Sequence, residues 1–404
     1  LELIWNLVFE ICDLFVIWFL EFICILELGS WSLNKLVNIL WFTWKDRKNP
    51  LAGGAEVVSG ELAKRLAKRG HKVIILTAGF AGAKHEEKTG GYRVVRVGNR
   101  WSVYLAAFIY YKRHLQGWAD IVIDEINTIP FFAKYFVKEK NILVCYQLCR
   151  EIWFHQMFFP LNLLGYVIEP FYLWLLKDRT VITESRSTKL DLIKHGFSKT
   201  KIQVISVGTE FPRAKKINIK GKFKNPTLLY LGTLRSMKRP DQTIKAFEIA
   251  KNKIPALQLV IAGQGKGLYS RFVNFMVKNS AFADSISLLG RISNKKKVTI
   301  LRESHLLLAT SVKEGWGLTV TEAASQGTPA VVYDVDGLRD AVLHNKTGLV
   351  CRKSNPNTMA ENIVKILKDK KLYNRLRKNA WKESKNVNFG RSCKEFMRII
   401  KLIS

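Results

Sequence analysis

Glu314-Gly315-Trp316-Gly317-Leu318-Thr319-Val320-Thr321-Glu322-Ala323-Ala324 follows the apolar run 305–310 and reads as the end of a buried strand that opens into a helix. On one unbroken helix the two carboxylates would project roughly 80° apart, too far along the axis to share a ligand. Gly315 and Gly317 permit tight backbone turns, so the spacing predicts Glu314 on a loop and Glu322 in the first turn of a helix that begins near Leu318. The first N–H groups of that helix, those of Gly317, Leu318 and Thr319, have no intrahelical acceptor and make a site for a diphosphate. Flanking carboxylates accept hydrogen bonds from sugar hydroxyls, so the layout suits a nucleotide sugar. For the two glutamates alone the plainer reading is a capped helix with acids at its positive end.

Earlier in the chain, 37–42 is a buried strand, followed by a polar loop, Gly53-Gly54-Ala55-Glu56, a helix with Val58, Leu62, Leu66 and Ala67 on one face, a stop at Gly70, and a second strand at 72–77. This is a βαβ unit of a parallel sheet. The paired glycines suit a phosphate or another close ligand, or a simple tight turn; the Gly-x-Gly-x-x-Gly dinucleotide fingerprint is missing. Further strands are expected at 92–97, 120–124, 141–145, 180–183 and 203–207. Asp124 and Glu125 end one of these, where their carboxylates can orient an acceptor or cap a helix, and capping is the expected role. The run 213–225 reads as a connection, and a second strand-and-helix alternation follows, with strands at 227–231, 257–262, 286–289, 305–309 and 330–333.

Two such halves in 404 residues predict two facing doubly wound domains with a cleft between them. The expected divisions are an apolar extension at 1–36, a first domain at 37–212, a linker at 213–225, a second domain at 226–385 and a final basic helix at 386–404. Gly232-Thr233-Leu234-Arg235-Ser236-Met237-Lys238-Arg239-Pro240 ends the first strand of the second half, so Arg235 and Lys238 face the same crevice as the helix after Gly317 and can clamp a diphosphate. Gly263 and Gly290-Arg291 close later strands there.

These strings together resemble glycosyltransferase family 4, retaining enzymes of the GT-B fold. The resemblance rests on Glu314 through Gly327-Thr328-Pro329, the loop 46–56, the Gly232 to Lys238 string, the turns at Gly263 and Arg291, and Thr347-Gly348, and it covers 37–352 in order. It implies an α/β fold of two Rossmann-like domains, with Glu314 at the donor sugar, Glu322 at the ribose, and Lys238 and Arg235 with the Gly317, Leu318 and Thr319 amides at the diphosphate. Gly232, Gly263 and Arg291 would line the nucleotide, and Gly53, Gly54 and Tyr146 the acceptor side. The final helix would cross back to the first domain. Two departures stand out: Thr233 where the family has arginine, with Arg235 two residues on, and Tyr146 where it has histidine. His155 reads as a local helix residue.

The formal charge is +32, from 65 Lys and Arg against 33 Asp and Glu, which attracts phosphorylated substrates or anionic lipid. No nucleic-acid module is present, so nucleic acid is not expected as a partner. The six cysteines form no Cys-x-x-Cys or zinc-spaced set, which points to reduced thiols in a cytoplasmic protein. Asp334-Val335-Asp336 has the pattern of a metal site in the other large glycosyltransferase fold, but lies where family 4 has a glycine turn; no metal and no cofactor are expected.

Residues 3–28 are apolar with Asn6, Glu10, Asp13, Glu21 and Glu27 on one stripe. Acids at membrane depth disfavour a clean span, and the acidic face disfavours an interfacial helix. A docked helix, a membrane-associated extension and an over-extended reading frame remain, with the last favoured. The aromatic run 152–176 is expected to pack as helices under the sheet, broken by Pro160 and Pro170, with contact to a bilayer surface as its alternative.

The reading is a retaining transferase that moves a sugar from a nucleoside diphosphate to a hydroxyl of a lipid-linked or glycan acceptor, peripheral at the inner face of a membrane. A nucleotide-sugar epimerase of the same architecture and a non-catalytic polyanion or membrane binder are the alternatives.

Overall fold

The computed structural model describes residues 36–403. The apolar segment 3–28 lies outside the described residues. Among them the chain forms two sheets, each covered by helices on both faces. The first uses β1 (Asn38–Phe42), β2 (Lys72–Ala78), β3 (Glu86–Thr89), β4 (Tyr92–Val97), β5 (Ile121–Ile126), β6 (Lys140–Cys145), β7 (Val181–Thr183) and β8 (Ile202–Val204). Their spatial order is β3-β4-β2-β1-β5-β6-β7-β8, and every pair is parallel except β3 with β4. The second sheet, all parallel, uses β9 (Thr227–Leu231), β10 (Gln258–Ala262), β11 (Ile286–Gly290), β12 (Leu306–Ala309), β13 (Ala330–Val332) and β14 (Gly348–Val350), in the order β11-β10-β9-β12-β13-β14. Central strands such as Ile39 to Phe42 are buried on both faces, which explains their unbroken apolar sequence.

Two local features differ from the sequence-based expectation. β3 is an edge strand of sequence Glu-Glu-Lys-Thr, whose polar side chains gave no strand signal. Pro170 does not break its helix, which runs without interruption as α4 (Leu161–Leu176) after α1 (Gly54–Ala67), α2 (Val103–Tyr110) and the short α3 (Trp153–Gln156). A proline removes the N–H that would bond the carbonyl four residues back. Here that carbonyl, on Tyr166, accepts instead from Arg150 Nη1 at 3.1 Å.

The last helix, α13 (Phe389–Ile403), leaves the second half and packs on the first sheet. Trp41 of β1 stacks on Phe396 with ring centroids 5.5 Å apart, and Ser206 donates its N–H and hydroxyl to Glu395 at 2.5 and 3.0 Å. Phe389 and Ile400 complete the buried seam.

Near the carboxyl ends of β5 to β7 the first domain buries four carboxylates, those of Glu125, Glu184, Glu56 and Asp124. Glu125 accepts from Trp41 Nε1 at 2.8 Å and Thr43 Oγ1 at 2.9 Å, while one oxygen of Glu184 has no hydrogen-bond partner. Burial pushes both acids up to about 8, with the neighbouring Glu56 adding to the effect on Glu125. Glu56 is itself compensated by Lys45 at 3.1 Å. Asp124 accepts from the N–H groups of Phe131 and Ala133 at 2.8 and 2.9 Å, a loop-capping role.

Phe396 is fully buried, so Phe396→Ala is expected to destabilise the protein by about 3–5 kcal/mol, read by denaturant unfolding. Glu125 and Glu184 are protonated more readily in the fold than in the unfolded chain. Their contribution is therefore complete below the ordinary carboxylate value of 4.5 and is lost as pH rises through about 8. The melting midpoint of Glu125→Gln/Glu184→Gln, measured from pH 5 to pH 9, should fall less with rising pH than that of the wild type.

Candidate functional site

Helix α9 (Leu318–Ser325) starts where the glycine spacing predicts, but Glu322 is its fifth residue and so lies in the second turn, not the first. Gly317 adopts φ +97° with no side-chain cap, a conformation that L side chains rarely take, and a Cβ there would also meet Leu338 at 2.8 Å. The amides of Leu318 and Thr319 occupy the first helical positions, where no carbonyl lies four residues back to accept them. Trp316 Nε1 donates to Thr321 Oγ1 at 2.9 Å and fixes the loop against the helix it precedes.

Glu314 sits on that loop, its N–H bonded to Asp336 O at 3.1 Å and its carboxylate accepting from Ser311 Oγ at 2.6 Å and from Lys238 Nζ. Lys238 follows β9 in a single 3-10 turn, and its carbonyl accepts from Thr310 Oγ1 at 3.1 Å. Residues 76 positions apart thus form one ion pair at adjacent strand ends. Glu322 points to a different cation. Its carboxylate is held by Lys297 Nζ at 2.5 Å, from α8 (Asn294–Glu303), and its second oxygen has no partner. Burial raises the Glu322 acid, and Lys297 opposes the shift.

Three glycines close the floor beside these groups. Gly232 N–H donates to Ala262 O and Gly263 N–H to Gly290 O, so the ends of β9, β10 and β11 lie side by side. A side chain at Gly263, φ +154°, would place its Cβ 1.8 Å from Gly232 O. Arg235 and Arg291 are exposed on the loops that leave these strands. Arg239, next to Lys238, takes φ +50° and lies over the Tyr333 ring at 5.7 Å.

The first domain comes close at two points. A Cβ on Gly54 would meet Leu318 Cδ1 at 3.3 Å, and one on Gly315 would meet Tyr146 O at 2.9 Å. The start of α1 therefore faces the start of α9, but the Gly53 N–H is already bonded to Glu56 Oε2 at 2.5 Å. A carboxylate of this chain occupies that amide. Tyr146 is buried, and burial beside Glu125, Glu184 and Glu56 holds its phenol well above the ordinary value. His155 lies in α3, and its carbonyl accepts from Ser236 Oγ at 3.2 Å.

A buried ion cluster joins the two halves on the other side of the loop. Lys313 Nζ contacts Asp191 of α5 (Arg186–Lys194) and, at 3.1 Å, Asp336. Arg339 holds Asp336 and, at 2.7 Å, Asp334, so both carboxylates of the Asp-x-Asp string are engaged by cations. Among the described residues no group of three or more His, Cys, Asp or Glu is arranged to hold a metal. A cavity of about 210 Å³ lies on another face of α9, lined by Trp316, Val320, Ala324, Glu383 and Arg391, and includes none of Glu314, Lys238 and Glu322.

The structure thus brings Glu314, Lys238, Gly317, Leu318 and Thr319 to one place, with Gly53, Gly54 and Tyr146 across from them. Sequence reasoning missed Lys297, Lys313 and Glu56. The lysines lie among many in a basic chain, and nothing in their spacing marks them; Glu56, three residues after Gly53, carries a capping signal that was legible.

Comparison with known proteins agrees with this architecture. The family described as Glycosyltransferase Family 4 matches residues 52–211, and the one described as Glycosyl transferases group 1 matches 212–383. The chain is 24% identical over 360 residues to N-acetyl-alpha-D-glucosaminyl L-malate synthase of Bacillus anthracis, covering 82% of this chain and 89% of that protein. Sucrose-phosphate synthase from Thermosynechococcus elongatus superposes with a TM-score of 0.71 at 17% identity, covering 90% of this chain and 98% of that one. Anabaena HepE in complex with UDP-glucose superposes with a TM-score of 0.67 at 15% identity, covering 90% and 99%. With two family matches that together run from residue 52 to 383 and the GT-B arrangement of its two sheets, the chain belongs to glycosyltransferase family 4 and is an enzyme that moves a sugar from a nucleotide sugar.

Proposed function

We propose that the chain transfers a hexosyl unit from a nucleoside diphosphate to a hydroxyl of a lipid-linked or glycan acceptor, with retention at the anomeric carbon, at the inner face of a membrane. The observation that carries this reading is the meeting of Lys238, Glu314 and the uncapped start of α9 at one set of strand ends.

In this reading the diphosphate lies against the Gly317, Leu318 and Thr319 amides and Lys238, with Arg235 as a second cation on the same loop. The bond from the anomeric carbon to the diphosphate oxygen breaks, and the charge that develops on that oxygen is met by fixed dipoles and a cation in a site that excludes water. The acceptor oxygen bonds to the anomeric carbon on the face the phosphate leaves, and its proton passes to the departing phosphate. Glu314, held by Ser311 and Lys238, accepts from the donor sugar's hydroxyls. Glu322 contributes its unpartnered oxygen to the ribose, while Lys297 opposes the upward pull of burial on its acid. Gly232, Gly263 and Arg291 border the nucleotide, and Gly54 and Tyr146 the acceptor side. The UDP-glucose bound to HepE makes uridine sugars the first donors to test.

Lys238→Ala is expected to lower kcat by roughly 100- to 1000-fold, the usual cost of removing one donor to a developing oxyanion. Wild-type turnover in Lys238→Ala would overturn the assignment. Glu322→Gln should raise the donor KM about tenfold or more while its melting midpoint still responds to saturating nucleoside diphosphate. An unchanged KM would remove Glu322 from the ribose site. A product with an inverted hydroxyl on the free sugar, formed without acceptor, would indicate an epimerase.

A further inference from the structure

Helix α4 has two unlike faces. Glu169, Tyr172, Leu173 and Leu176 are buried against the first domain. Leu164, Val167, Ile168, Phe171 and Trp174 are between 44% and 63% exposed. At 100° per residue these five fall within an arc of roughly 120°, a continuous stripe along a helix that leaves a soluble surface nothing to gain from it. The chain leading into the helix adds Phe158 and Phe159, 73% and 75% exposed.

The stripe continues onto a second helix. The segment 128–136 ties α2 to α4: Tyr104 donates to Ile129 O at 3.4 Å, Tyr172 to Thr128 O at 2.6 Å, and Tyr135 to Leu175 O at 3.1 Å. On α2 and the turn before it, Trp101, Leu105, Phe108 and Ile109 are exposed, and Ile129 and Tyr135 are exposed on the tie. Cations frame the surface. Arg100 lies over the Trp101 ring at 4.9 Å and Lys177 over Trp174 at 5.0 Å, and Lys112 and Arg113 are exposed just after α2.

We infer that this face of α2 and α4 docks on an anionic lipid bilayer and brings the cleft mouth to the lipid plane. Aromatic rings with adjacent cations suit the headgroup boundary, where ring bodies enter the acyl region and charges meet anionic lipid. A second copy of the chain is the poorer occupant, because two-fold pairing of this face would set the same cations against each other. Among the described residues no helix is long and apolar enough to cross a membrane. The face ends at the catalytic loop: Gln156 Nε2 contacts Met237 Sδ at 3.5 Å and Ser236 bonds His155 O, beside Lys238. An acceptor anchored in the bilayer would therefore enter where the diphosphate is held. That last step rests on the transfer reading above; the docking does not.

The test is sedimentation with vesicles of equal parts phosphatidylglycerol and phosphatidylcholine, and with phosphatidylcholine alone. Wild-type protein is expected to bind the anionic vesicles, to release with added salt, and to bind the neutral ones at least about tenfold more weakly. Val167→Ser/Phe171→Ser/Trp174→Ser should reduce anionic binding about tenfold or more, with an unchanged melting midpoint. Leu105→Ser/Phe108→Ser on α2 should also weaken it. Failure of the wild type to bind, or variants that bind like it, overturns the proposal, as does a dimer in light scattering that the triple variant converts to monomer. Stabilisation of the same triple variant by UDP, GDP or ADP reports on the donor site separately, and its absence from the wild type as well would count against the transfer reading alone.

Discussion

The uncapped start of α9 is the constraint around which the two domains are arranged. Gly317 turns with positive φ, no side chain caps the helix, and its first amides are left to whatever the cleft admits. The opposite wall approaches so closely that Gly54 and Gly315 have little or no room for a side chain against Leu318 and Tyr146. A helix terminus with partial positive charge, facing a second domain at van der Waals distance, favours an anion that both walls can enclose. Lys238 adds a full charge at the same place, where it pairs with Glu314.

Several contacts keep the walls opposed. The chain crosses back through α13, where Phe396 stacks on Trp41, so the core of the first domain includes residues that follow the second one in sequence. Lys313, buried between Asp191 and Asp336, bridges the halves on the other side of the signature loop, and the Ser187 N–H bonds Asp340 at 3.0 Å. A buried cation with two carboxylates is costly to separate, since removal of either partner leaves charge without solvent. The ion cluster thereby fixes the loop that carries Glu314.

Much of this was legible in sequence because the signals are local. Strand runs such as 37–42 and 227–231, the stop at Gly70 and the helix start at Leu318 follow from apolar patterning and glycine placement within a few residues. Harder to read were features in which distant residues complete one another. Pro170 predicts a break unless Arg150 is known to satisfy the Tyr166 carbonyl. Lys297 is one of three consecutive lysines, and only the packing of α8 on α9 selects it for Glu322. The two faces of α4 are apolar alike, so composition does not separate the buried side from the exposed one; their exposure does.

The account depends most on where a nucleoside diphosphate binds. A crystal structure of the protein with the nucleoside diphosphate that most raises its melting midpoint decides this directly. The account predicts phosphate oxygens within hydrogen-bond distance of the Leu318 and Thr319 amides and of Lys238 Nζ, with the ribose at Glu322. Phosphates bound elsewhere, for example in the cavity lined by Val320 and Arg391 with Lys238 still on Glu314, would contradict it.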